Sequence, residues 1–202
     1  MDAVDNARYG PLHRRLLLYA NAGLFCDGYI LSSIGLAIPS LARHFHIDAF
    51  AVGLIGAATL LGIFFGAALF GALTDRFGRR IMMVADLGVF VIASVAQIWA
   101  ATVVELVVLR FVLGLAIGAD YPIAAALLSE YLPSRGRGAA LNSMQIVWFL
   151  GACAAYAAGN LLVHTSGSWR WILASAAIPA FVGLALRTSA PESVRWLVAR
   201  GR

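Results

Sequence analysis

Long apolar runs separated by short polar clusters dominate the chain. Six runs, at residues 16–41, 51–74, 81–101, 103–132, 139–163 and 169–187, are long enough to cross a bilayer, which takes about 20 predominantly apolar residues. The separators are RHFHID at 43–48, DRFGRR at 75–80, PSRGRG at 133–138 and HTSGS at 164–168. The break between the third and fourth runs, near Ala101 and Thr102, is the weakest. The pattern predicts an all-α membrane protein with a six-transmembrane-helix bundle over 16–190. A cytoplasmic N-terminal segment, 1–15, precedes it, and a cytoplasmic segment, 191–202, follows. In that last segment PESVRWLVARGR alternates arginine with Trp196, Leu197 and Val198, as a short helix lying on a membrane surface does.

Composition sharpens this picture. Hydrophobic residues make up 61% of the chain and charged residues 12%, against about 45–50% and about 25% in soluble domains. The formal charge is +5 and every basic residue is arginine. These arginines gather between apolar runs and form no basic face interleaved with aromatics, so nucleic acid is not an expected partner. They set a topology instead. The N-terminus, the loops after the second and fourth spans and the tail hold Arg8, Arg14, Arg15, Arg76, Arg79, Arg80, Arg135, Arg137, Arg187, Arg195, Arg200 and Arg202. The opposite side holds Arg43 and Arg170, and Arg110 falls within a span. Both termini are therefore expected in the cytoplasm, with the bundle in the plasma (inner) membrane. Cys26 and Cys153 both fall in spans and are expected as buried free thiols. His44, His46 and His164 are expected on outer loops, and Glu105 at a helix end. Neither a metal-ligand spacing nor a Walker-type or serine–histidine pattern occurs, so no metal, no cofactor and no enzymatic activity are expected.

Three stretches carry more information. In GALTDRFGRR, at 71–80, Asp75 precedes a helix start, where a carboxylate is favoured. Gly78 allows a backbone turn that other residues resist, and Arg76, Arg79 and Arg80 anchor the loop. Gly53, Gly56, Gly62, Gly66 and Gly71 of the second span are expected to let helices approach closely. Inside the fourth span, RFVLGLAIGADYP places Asp120 next to Tyr121 and Pro122. Proline removes the donor that would bond the carbonyl of Gly118.

GALTDRFGRR resembles the signature loop between helices two and three of the major facilitator superfamily. Arg110, Gly114 and Gly118 resemble its helix-four motif. Glu130, Pro133, Arg137 and Gly138 match the sugar-porter pattern E-x-x-P-x-x-x-R-G, and Gln145 lies at the sugar-porter glutamine spacing. PESVRWL is similar to the segment after helix six of sugar porters. RFVLGLAIGADYP also resembles the helix-four signature of phosphate and metabolite:proton symporters. That family's helix-one pattern is D-x-Y-D, and here it reads Asp27-Gly28-Tyr29-Ile30. Proton-coupled sugar porters carry their helix-one acid at the second place, which is Ile30 in this chain. A third acid of the symporters would fall on Asp86.

The resemblance implies one six-helix half, a 3+3 inverted repeat, of a twelve-helix secondary transporter, although no internal sequence repeat is visible. It implies proton-coupled symport of a small metabolite, such as an organic or inorganic anion, by alternating access. Partners would be the small-molecule substrate, protons, the lipid bilayer and a second six-helix half, either a C-terminal half or a second copy. The rival is a non-transporting membrane protein that keeps the half-transporter fold as a sensor or assembly partner. At about 1.5 Å per residue, Asp27 lies about 18 Å, Asp120 about 16 Å and Asp86 about 9 Å from the cytoplasmic ends of their spans. Each carboxylate costs about 2.5–3.5 kcal/mol at the bilayer centre. Asp27, Asp120 and Asp86 are thus proton-coupling candidates, or else members of a hydrogen-bonded network that holds helices together. Arg110, Tyr121, Gln145 and Trp148 are candidates for the substrate cavity, or else packing residues. Asp75, Arg76, Arg79, Arg80, Glu130 and Arg137 form a candidate cytoplasmic gate network, or else a solvated loop cluster.

Overall fold

The computed structural model describes residues 10–192 and Trp196, apart from the side chains at 72, 75, 134 and 135. The regular secondary structure of the described residues is all helical. α1 runs Pro11–Phe45, α2 Ala49–Phe77, α3 Arg79–Ala96, α4 Val103–Tyr131, α5 Ser134–Leu162, α6 Ser168–Ala174 and α7 Ala177–Arg187. α1 begins at Pro11, where the missing proline N–H costs nothing, so it extends before the expected span start at 16. Five segments are long and apolar enough to cross a membrane: Pro11–Phe45, Ala49–Gly71, Arg79–Trp99, Gly136–Leu162 and Ser168–Arg187. α4 is as long as α2, at 29 residues, and completes the six. It carries Glu105, Arg110 and Asp120. The expected surface helix at 191–202 lies outside the described residues except for Pro191, Glu192 and Trp196.

Local chemistry explains the boundaries. Asp48 Oδ1 accepts from Ala51 N at 2.9 Å and starts α2. Thr102 Oγ1 accepts from Glu105 N at 3.2 Å, while Glu105 Oε2 accepts from Ala101 N at 2.7 Å. This reciprocal capping separates the third and fourth spans where the hydropathy pattern barely does, and it places Glu105 at a helix end as expected. The sixth span is broken between α6 and α7. Pro179 cannot donate to the carbonyl of Ser175. That carbonyl accepts instead from Ile178 N at 3.1 Å, while Ser175 Oγ donates to the Ile172 carbonyl at 2.7 Å and pairs with Tyr29 OH at 2.9 Å.

α2 packs along α4, α1 along α5, and α3 against both α4 and α7. Gly62 and Gly66 make the α2–α4 approach feasible. A Cβ at Gly62 would run into the backbone of Phe111 and Gly114, and one at Gly66 into that of Leu115. Gly53, Gly56 and Gly71 face open space, so the glycine expectation holds at two of its five positions. Three apolar clusters stack along the bundle. One, at the Gly78 end, includes Leu16, Met83, Leu127 and Met144. The middle one includes Cys26, Tyr29, Phe90 and Leu113. The third, at the far end, includes Leu41, Ile55, Leu106 and Trp169.

Candidate functional site

A cavity of about 360 Å³ opens between α1, α2, α4 and α5. Asp27 comes from α1, Gly118, Tyr121 and Pro122 from α4, and Gln145 and Trp148 from α5. Gly28 brings α1 against α5, because a Cβ there would meet the Trp148 carbonyl. Pro122 leaves the Gly118 carbonyl without its helical donor, and both residues line the cavity. The helix breaker therefore sits where irregular backbone has a cavity beside it. Three of the four expected cavity residues, Tyr121, Gln145 and Trp148, meet here, together with the acid Asp27.

Arg110 is placed elsewhere. It is buried and outside this lining, and its Nη1 donates to the Ile30 carbonyl at 3.1 Å. Its partner is thus on helix one, as a counter-ion would be, but it is a carbonyl and not a carboxylate. The second place of the helix-one pattern, Ile30, thus offers this arginine a carbonyl and no carboxylate.

Asp86 and Asp120 lie behind the cavity, at 3% and 0% exposure, and meet a residue that the sequence reading had grouped with the loop arginines. Arg187, the last residue of α7, is fully buried. Its Nη1 lies 3.0 Å from Asp86 Oδ2 and 2.7 Å from Asp120 Oδ1. Nη1 also donates to the Met83 carbonyl at 3.1 Å, and Nε donates to the Tyr19 carbonyl at 2.8 Å. Asp86 Oδ1 accepts from Leu87 N at 2.6 Å. Buried charges survive only when paired and hydrogen-bonded, and this arginine ties together α1, α3, α4 and α7. The placing of Arg187 among solvent-facing loop charges is therefore corrected. A signal for it existed: three intramembrane acids faced a single recognised intramembrane cation, Arg110.

At the Gly78 end, Arg79 pairs with Glu130. Gly78 has φ +97°, a conformation natural to glycine. Glu192 Oε1 accepts from Arg79 N at 2.8 Å and Arg80 N at 3.2 Å, so it supplies the carboxylate at the start of α3 that was expected of Asp75. The Asp75 side chain lies outside the described residues. Arg80 Nη2 donates to the Thr188 carbonyl at 2.7 Å, and Tyr131 OH to the Glu192 carbonyl at 2.8 Å. Arg137 Nη2 donates to the Leu132 carbonyl at 2.9 Å, and Arg76 lies over the Phe77 ring. The expected gate residues thus divide: Arg79 and Glu130 form an ion pair, Arg80 holds the chain after α7, and Arg137 caps the end of α4. Glu192 was missed, although it stands in the PESVRWL motif.

Elsewhere, Cys26 is a buried free thiol as expected, whereas Cys153 is free but exposed, which corrects its expected burial. His44 packs on Phe45 and Trp169 in the last turn of α1. Among the described residues no group of three or more histidine, cysteine or acidic side chains is placed to hold a metal.

Residues 21–202 match the model of the sugar (and other) transporter family. The chain belongs to that family. The family lies within the major facilitator superfamily, and the structure agrees. The bundle superposes on the proton:xylose symporter XylE with a TM-score of 0.87 at 26% identity, covering 94% of this chain and 47% of that one. In sequence it is 36% identical over 200 residues to the inner membrane metabolite transport protein YgcS of Escherichia coli (strain K12), covering 98% of this chain and 45% of the relative. It is 34% identical over 193 residues to the 4-hydroxybenzoate transporter PcaK of Pseudomonas aeruginosa, covering 95% and 43%. The chain spans less than half the length of these relatives and corresponds to the N-terminal half of the superfamily fold. It is an integral membrane protein by family and by the apolarity of its helices.

Proposed function

We propose that the chain is one half of a secondary active transporter that moves a small metabolite in symport with protons, by rocking against a second six-helix half. The observation that carries this reading is the cavity, where Asp27 faces the same space as Tyr121, Gln145 and Trp148. Aromatic faces and an amide suit a small polar organic molecule, and the acid beside them can load and release a proton. Asp27 is the acid best placed for that, since Asp86 and Asp120 already share Arg187. The described lining contains no basic side chain, so an anionic substrate would draw its cation from the other half. Relatives named for 4-hydroxybenzoate, benzoate and xylose transport set the probes to try first. The Arg79–Glu130 pair acts in this reading as a latch at the cytoplasmic end, with both termini on that side.

The test uses the protein with its second half in proteoliposomes, given radiolabelled 4-hydroxybenzoate, benzoate or xylose with and without an imposed pH gradient. The parent should concentrate at least one probe when the gradient is present. Asp27→Asn should retain exchange of that probe and lose accumulation. Gradient-driven accumulation by Asp27→Asn equal to that of the parent would refute the proton assignment. A protein that moves none of a broad metabolite panel would fit the rival reading of a non-transporting relative.

A further inference from the structure

The helix-one acid and the helix-four arginine do not form a pair in this chain. Arg110 bonds the carbonyl of Ile30, three residues beyond Asp27 and so about 4.5 Å further along the helix axis. Asp27 is 2% exposed, and its Oδ1 has no hydrogen-bond partner among the described residues. One turn from Asp27, in the other direction, stands Gly23. A Cβ at Gly23 would occupy the space taken by Arg187 Nη2 and Asp120 Oδ2. Arg187 therefore reaches across the α1 face that carries Asp27, through a gap that exists because residue 23 is glycine. Its Nη2, like Asp27 Oδ1, is buried without a hydrogen-bond partner among the described residues. Asp27 lies within electrostatic reach of Asp86, Asp120 and Arg187. These three, with Arg110, the thiol of Cys26 and the phenols of Tyr29 and Tyr121, are the ionisable groups described around it in the bundle.

We infer that Arg187, at the end of the sixth span, is the counter-ion of Asp27, and that Arg110 is not. One guanidinium then serves three carboxyls. Two of them, Asp86 and Asp120, hold it by Nη1. The third, Asp27, is where a proton and the Arg187 guanidinium compete. Protonated, Asp27 leaves the arginine to Asp86 and Asp120. Ionised, it draws Nη2, which lies beside Asp120 Oδ2 at the Gly23 gap, toward itself. Arg187 is in this scheme a positioning residue: it acts through Asp27 and touches no substrate. The inference rests on the proposal that Asp27 carries the proton.

The experiment needs no substrate. A hydrophobic carbodiimide modifies membrane carboxyls in their protonated form. Labelling of Asp27 is followed by mass spectrometry in the protein reconstituted in lipid, over a series of pH values. In the parent, Asp27 labelling should fall as pH rises. At neutral pH, Arg187→Gln should raise it about tenfold or more, the scale on which a neighbouring opposite charge alters ionisation. Arg187→Lys should restore most of the parent behaviour, because the charge is kept. Arg110→Gln should leave Asp27 labelling near the parent level. If Arg187→Gln does not fold, Arg187→Gln combined with Asp120→Asn is compared with Asp120→Asn alone, so that the like charge of Asp120 is absent from both, and should label more than that single variant. Unchanged labelling on loss of Arg187, or a larger change in Arg110→Gln, overturns the inference while leaving the proton reading intact. Labelling of Asp27 that does not vary with pH overturns the proton reading itself.

Discussion

Replacing Gly23 by alanine tests the buried arginine with one added methyl group. A Cβ there would collide with Arg187 Nη2 and Asp120 Oδ2 and would sit 2.7 Å from the guanidinium carbon. None of these atoms is the end of a free side chain, since Arg187 is also bound to the Tyr19 and Met83 carbonyls. The arginine or the aspartate must give way, and breaking a buried pair costs about 3–5 kcal/mol. Alanine returns about 1 kcal/mol of helix preference over glycine, so the net loss should be roughly 2–4 kcal/mol. A chain of this size loses about 2–4 °C of melting temperature per kcal/mol. Gly53→Ala is the matched control, because its Cβ meets nothing and it should be neutral or slightly stabilising. The assay is thermal unfolding of both purified variants in the same detergent and lipid, followed by intrinsic fluorescence. If Gly23→Ala melts with Gly53→Ala, the close approach of Arg187 to α1 is not a feature of the folded protein.

The remaining predictions concern the two ends of the bundle. In a Cys26→Ala, Cys153→Ala background, His46→Cys and Ser166→Cys should react with an impermeant thiol reagent from outside the cell and Arg76→Cys should not; the reverse pattern would invert the topology. Glu130→Gln removes the partner of Arg79 and should change labelling of Gln145→Cys in the cavity by about 5–150-fold, the range of typical coupling energies; equal labelling would leave the pair without a gating role. Glu192→Gln weakens the acceptor of the Arg79 and Arg80 amides, a cap worth about 0.5–2 kcal/mol. Hydrogen exchange at the start of α3 should then quicken, and unchanged protection would mean that another group caps the helix.

The spans were legible because apolar length is a coarse property that tolerates errors of several residues. The cavity was legible in part because Asp27, Tyr121, Gln145 and Trp148 are polar or amphipathic residues at similar depth on helices that pack together. Arg187 was not. It ends an apolar run, where an arginine ordinarily turns outward to water, and the same sequence permits the long side chain to turn inward. Only the packing of α3 and α4 beside it decides between the two. Glu192 was missed for a related reason. Asp75 was nearer in sequence to the start of α3, while Glu192 reaches the same amides from 113 residues away. The break at Pro179 went unpredicted because a single proline within a strongly apolar run leaves the hydropathy pattern intact.

That break has a mechanical consequence. α6 is clamped at the far end, where Arg170 Nε donates to the Ile98 carbonyl at 3.0 Å and Trp169 is fully buried. α7 begins beyond the break and ends on Arg187, so it is a lever about 16 Å long, with its pivot at the Ser175–Ala176 joint. A tilt of about 10° there would carry the tip by about 3 Å over that length, comparable with the 2.7–3.0 Å separations that bind Arg187 to its two aspartates. Five residues past the tip, Glu192 grips the start of α3. A small rotation about one joint is therefore enough to disengage the ion pairs and tug the loop at Gly78 in the same stroke.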